Sequence, residues 1–157
     1  MAAHDFHIVT TWRIPGRIAD IAAILTDAIA LPDWWGEVYL STAITDPGDE
    51  NGIRRKVAVH SKGRLPYAIR FTAELISASM PHTWEIAASG DLTGRGIWTL
   101  TQQGGMAVVR YDWRVAADRP LFRRLAPVMR PLFAWNHRWA MARGEAALKR
   151  ELALRSM

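Results

Sequence analysis

Residues 6 to 14 alternate in polarity. Phe6, Ile8, Thr10, Trp12 and Ile14 lie on one side, with His7, Thr11 and Arg13 opposite. A period of two predicts a half-buried strand, which Pro15-Gly16 ends. From 17 to 28 the period lengthens, and Ile18, Ile21, Ala22 and Leu25 fall on one helical face. A short connection through Leu31-Pro32-Asp33-Trp34-Trp35-Gly36 follows. Six strand-like runs come next, over 37–45, 53–61, 65–78, 83–89, 93–103 and 106–117. They are separated by a 46–52 loop and by turns at Lys62-Gly63-Arg64, Met80-Pro81-His82, Gly90-Asp91 and Gly104-Gly105. Short loops between successive strands predict an antiparallel meander. After Asp118-Arg119-Pro120 the pattern turns helical. Pro127 and Pro131 interrupt its start, so the uninterrupted helix is expected from about Pro131 to Leu154.

Alternation assigns faces to the strands. Tyr67 and Phe71, then Trp84, Trp98, Tyr111 and Trp113, all fall on the same predicted inner face. Arg55 shares the parity of its apolar neighbours Val57 and Val59, while Arg110, Asp112 and Arg114 alternate outward. In the final helix Leu125, Val128, Met129, Leu132, Trp135, Trp139, Ala146 and Ala147 recur at three- and four-residue steps. A turn of 100° per residue puts Asn136 inside that stripe, with Arg143 seven residues on, and leaves His137 at its edge. A buried amide either bonds to the protein or faces a cavity, because an unpaired one costs roughly 1–3 kcal/mol.

One strand, short helices, six strands and a long helix is the element order of the helix-grip fold, and the wording of the chain resembles one branch of it. Leu31-Pro32-Asp33-Trp34-Trp35, Gly94-Arg95-Gly96-Ile97-Trp98 and Tyr111-Asp112-Trp113-Arg114-Val115 resemble motifs of the polyketide cyclase/dehydrase, or SRPBCC, branch of the START/Bet v 1-like superfamily. So do the helix opening Arg130-Pro131-Leu132-Phe133-Ala134-Trp135-Asn136-His137 and its continuation Gly144-Glu145-Ala146-Ala147-Leu148. The resemblance implies a single α+β domain over 1–157. A curved six- to seven-stranded antiparallel sheet would wrap around the C-terminal helix, with two short helices after the first strand. It also implies a hydrophobic cavity between sheet and helix. The candidate lining is then Tyr67, Phe71, Trp84, Trp98, Tyr111 and Trp113 from the sheet. Leu132, Trp135, Asn136 and Trp139 would face it from the helix, with Arg55 and Arg143 as charged groups. The superfamily holds lipid and sterol carriers, hormone binders and aromatic cyclases, so the likeness does not choose a ligand.

Composition narrows the chemistry. The 157 residues suit one core, and no apolar run is long enough to span a bilayer. The absence of cysteine excludes thiolate metal sites and thiol nucleophiles, and with no secretory signal it points to the cytoplasm. No Asp or Glu falls on an inward strand position. There is no His-x-x-x-His pair, and neither nucleotide nor phosphate glycine motifs are complete. No metal or cofactor is expected. The net charge of +5 is concentrated in 118–157, where nine Lys/Arg face three Asp/Glu. That helix is either a solvated outer face or a weak contact for an anionic membrane surface. Its arginines lack the interleaved exposed aromatics of a nucleic-acid binder. The expected function is binding or transport of a hydrophobic small molecule. The alternative is a cyclase or dehydratase using Tyr111, Asn136 and Arg55 in the same cavity. Monomer and homodimer remain equally open.

Overall fold

The computed structural model describes residues 5–65, 67–117, 124 and 126–156. Strand β1 (Asp5–Pro15) is followed by helix α1 (Ile18–Thr26), a 3-10 turn (Ala28–Ala30) and the one-turn helix α2 (Leu31–Trp34). Then come β2 (Tyr39–Asp46), β3 (Lys56–Ser61), β4 (Ile69–Ser79), β5 (Thr83–Gly90), β6 (Leu92–Gln103), β7 (Met106–Ala117) and helix α3 (Ala126–Arg155). All seven strands form one antiparallel sheet in the order β1-β7-β6-β5-β4-β3-β2. The six later strands pair as a meander, and β1 closes against β7, with Phe6 opposite Val115 and Trp12 opposite Val109. The helix-grip architecture expected from the sequence is the one observed.

Local chemistry explains the joints. Gly104-Gly105 makes the hairpin turn between β6 and β7, with Gly104 at φ 60°, a conformation that costs a residue with Cβ but not glycine. Arg17 caps α1 without a side-chain bond. Gln102 supplies that bond instead: its Oε1 accepts from the Ile18 N–H at 2.9 Å, and its amide nitrogen donates to the carbonyls of Gly16 and Gly104. The start of α1 is thus fixed to the β6–β7 hairpin. On the outer face of the sheet Asp112 gathers His7 at 2.9 Å, Arg114 at 3.4 Å and Arg110 at 3.7 Å, as the outward parity predicts.

Helix α3 departs from expectation in two ways. It starts at Ala126 and runs through Pro131. The bond that Pro131 cannot make would go to the carbonyl of Pro127 in the first turn, and both prolines are exposed, so water can serve that carbonyl. Its buried face is also rotated from the expected one. Phe133, Ala140, Met141, Gly144, Ala147 and Leu148 are buried, whereas Val128, Trp135 and Ala146 are exposed. Leu125, the side chain of Met129 and the Asp118-Arg119-Pro120 turn lie outside the described residues. Among the described residues no helix is long and apolar enough to cross a membrane.

Candidate functional site

The inner face of the sheet is built as aromatic rows. Trp84, Trp98 and Tyr111 stand directly opposite one another across β5, β6 and β7. Directly opposed side chains touch, so this register stacks the rings: Trp84 on Trp98 with centroids 5.9 Å apart, and Trp98 on Tyr111 at 4.1 Å. Trp113 continues the stack 5.5 Å from Tyr111. Gly96, between Ile86 and Trp113 in the next row, makes room for it. A Cβ there would lie 2.6 Å from the Tyr111 hydroxyl and 2.8 Å from the Trp113 ring. This is the physical content of the Gly-x-Gly-x-Trp pattern: the glycine lets two large rings lean across the strand.

Helix α3 does not press onto these rings along its whole length. A cavity of about 360 Å³ remains between them. Phe133 closes one end against Phe6, with ring centroids 5.2 Å apart. Trp35, from the corner after α2, and the Ala140-Met141 step of α3 form another wall. Lining residues Asn51 and Met80 are themselves exposed, and they mark where the cavity reaches solvent. Of the sequence candidates, Phe71, Trp84, Trp98, Tyr111 and Trp113 line the space, together with Asn136 and Arg55.

The remaining candidates lie elsewhere. Tyr67 precedes β4 and packs edge-on against Phe133 at 6.3 Å. Leu132 packs on the core without reaching the lining. Trp135 points outward and is 49% exposed. Trp139 lies half-buried between the guanidinium groups of Arg64, 5.1 Å from its ring, and Arg143, at 5.7 Å. Arg143 is turned to the surface, where it pairs with Glu37 at 3.3 Å.

Asn136 lines the cavity, and its oxygen is committed to the protein. Oδ1 accepts from the Arg64 N–H at 2.7 Å and so ties α3 to the β3–β4 loop. Gly63 makes that approach possible. It sits at φ 63°, and a Cβ would come within 2.6 Å of the same oxygen.

The sequence reading placed His137 at the edge of the stripe. It lies inside, with its ring parallel to Trp113 at 6.4 Å and its Nε2 sealed without a hydrogen-bond partner. Burial, and then the charge of Arg138, lower its pKa to about 4, so the imidazole is neutral at pH 7. Tyr39 also lines the cavity, and burial pushes its phenol up to about 12. Burial first, and Tyr39 second, hold Tyr111 well above the usual phenol value. The helical spacing Phe133–His137–Ala140–Gly144–Ala147 was the signal for the true inner face. It was weak because two alanines and a glycine carry little hydrophobicity.

Solved structures share this fold at low identity. The Zhui aromatase/cyclase from a Streptomyces species superposes with a TM-score of 0.75 at 12% identity, covering 98% of this chain and 97% of that one. A START superfamily protein from Mycobacterium smegmatis gives 0.69 at 12%, covering 94% and 97%. A norcoclaurine synthase from Thalictrum flavum gives 0.68 at 14%, covering 98% and 97%. No curated protein matches the sequence significantly. The family described as polyketide cyclase/dehydrase and lipid transport matches residues 5–153, and the chain belongs to it.

Proposed function

We propose that the chain binds a hydrophobic small molecule with a flat portion, held along the Trp98–Tyr111–Trp113 stack. The cavity of about 360 Å³ carries this reading, because it falls in the range of small-molecule sites, about 300–1,000 Å³, with mostly apolar walls. Binding is favoured over proton-transfer chemistry by the state of the lining groups. A general acid or base works best with a pKa near the operating pH. His137 lies at about 4, Tyr39 at about 12 and Tyr111 well above its ordinary value. Among the described residues no carboxylate lines the space. The neutral fluorophore N-phenyl-1-naphthylamine should bind saturably. Ala73→Phe, which puts a ring into the cavity from β4, should weaken it about tenfold or more, roughly 1.4 kcal/mol. Non-saturable binding, or an unchanged Kd in a folded Ala73→Phe protein, overturns the reading.

A second reading, peripheral contact with an anionic membrane, is supported by one strip of α3. Val128, Pro131, Trp135 and Arg138 fall on a single face and, like Arg130, are exposed, Val128 by 71%. An exposed tryptophan flanked by arginines suits a lipid interface. Sedimentation with phosphatidylglycerol vesicles at low salt should carry the protein down. Phosphatidylcholine should not, and neither should 1 M salt, where charges are screened beyond about 3 Å. Trp135→Ala should weaken the interaction. No binding at low salt removes this reading.

A further inference from the structure

The cavity has one charged side chain, and it is placed near the opening. Among the described residues Arg55 is the only ionised group on the lining at neutral pH. It leads into β3, and Leu75 is its backbone partner: the Leu75 N–H donates to the Arg55 carbonyl at 3.0 Å. That register puts Arg55 in the row Leu75–Ile86–Gly96–Trp113, on the far arm of the curved sheet from Trp113. Its Nε–H reaches the Pro47 carbonyl at a long 3.4 Å, and its fork lies over Gly52, where a Cβ would come within 3.1 Å of a terminal nitrogen.

No carboxylate of the described residues answers this charge. Among the described residues none lies within ion-pair distance, 4 Å, of the guanidinium. Two of the three acids of the adjoining loop, Asp46 and Asp49, are turned to its backbone. Asp46 Oδ1 accepts from the Gly48 N–H, and Asp49 Oδ1 accepts from the N–H groups of Asn51 and Ile53. The loop is therefore held by its own carboxylates while the arginine beside it keeps donors to spare. Arginine's fork matches the two oxygens of a carboxylate or phosphate, and a charge-assisted pair is roughly twice as strong as a neutral bond.

We infer that the ligand is an amphiphile with a single acidic group, held by Arg55 near the mouth, while its apolar body lies along the Trp98–Tyr111–Trp113 stack. This rests on the proposed cavity function and adds a polarity and a direction to it. The acidic group is a carboxylate or a phosphate ester. The Arg55 fork lies over Gly52, next in sequence to the exposed lining residue Asn51, so the head need not be stripped of all its hydration.

A matched pair of probes tests it. 8-Anilinonaphthalene-1-sulfonate is N-phenyl-1-naphthylamine with an added anionic group. The protein should bind the anionic probe about five- to tenfold more tightly than the neutral one, a margin that shrinks with salt. Arg55→Leu should abolish the margin, read as the ratio of the two Kd values within the same variant, and Arg55→Lys should keep part of it, since it retains the charge without the fork. Displacement by dodecanoate and by dodecyl phosphate, with dodecanol as the uncharged control, separates the two head groups. Equal affinity for both probes, or an Arg55→Leu variant that weakens both alike, overturns the inference and leaves the cavity reading standing. Failure of the neutral probe to bind saturably overturns both, whereas failure of the anionic probe alone overturns only the inference.

Discussion

Gly144→Ala should destabilise the protein by about 2 kcal/mol, although alanine is the better helix former. In an exposed helix interior the change gains about 1 kcal/mol. Gly144 is buried in α3, and a Cβ there would fall on the indole of Trp35, 2.5 Å from Cε2 and 2.8 Å from Cη2. The indole is held by its neighbours. It is 3% exposed and packs within 5.8 Å of Trp12, 5.4 Å of Trp34 and 5.1 Å of Tyr39, centroid to centroid. Its Nε1–H also donates to the Ala140 carbonyl one helical turn away, at 3.1 Å. Overpacking of this kind costs about 1–3 kcal/mol, and losing a buried hydrogen bond adds about 1–2. Urea unfolding should show a lower midpoint with an unchanged slope. Trp35→Phe removes the clashing ring, so in that background Gly144→Ala should be neutral or stabilising. A single Gly144→Ala variant that is more stable than the parent rules out the wedge.

The same contact explains what was legible in the sequence. Alternation is a strong signal where one face of a strand is aromatic, as in Val109–Tyr111–Trp113–Val115, and Gly104-Gly105 punctuates it without ambiguity. The strands and the meander of the last six therefore followed from pattern and turns. The face of α3 did not. Val128 and Trp135 point outward, and much of the face that meets the sheet is small: Ala140, Gly144 and Ala147. Small residues let a helix approach Trp35 closely but weigh little in a hydrophobic pattern, so a stripe drawn through the large side chains was turned away from the packed one. That rotation moved His137 out of view and brought Trp135 wrongly inside. Arg55 was legible through parity alone, because it continues the alternation of Val57 and Val59 in the strand it leads into.

Acid should weaken the fold through His137. Its pKa in the folded protein is about 4, against 6.5 for the free side chain, because burial disfavours the imidazolium and Arg138 repels it. Between those values the unfolded chain binds the proton and the folded chain does not, so stability rises with pH across this window. The contribution is complete above about pH 6.5, is lost as pH falls, and levels off below about 4. The full shift amounts to up to about 3 kcal/mol. The facing groups on β7 are the rings of Tyr111 and Trp113, 6.3 Å and 6.4 Å away, and the Tyr111 phenol stays neutral throughout. No partner charge compensates the imidazolium there. His137→Phe keeps a ring parallel to Trp113 and removes the sealed, unpartnered Nε2, so it should be at least as stable as the parent at pH 7. The carboxylates titrate in both proteins, so the informative quantity is the difference between their unfolding free energies from pH 7 to pH 4. That difference should grow by up to about 3 kcal/mol in favour of the phenylalanine variant. Parallel pH profiles would mean that His137 is reached by water and carries no part of the acid sensitivity.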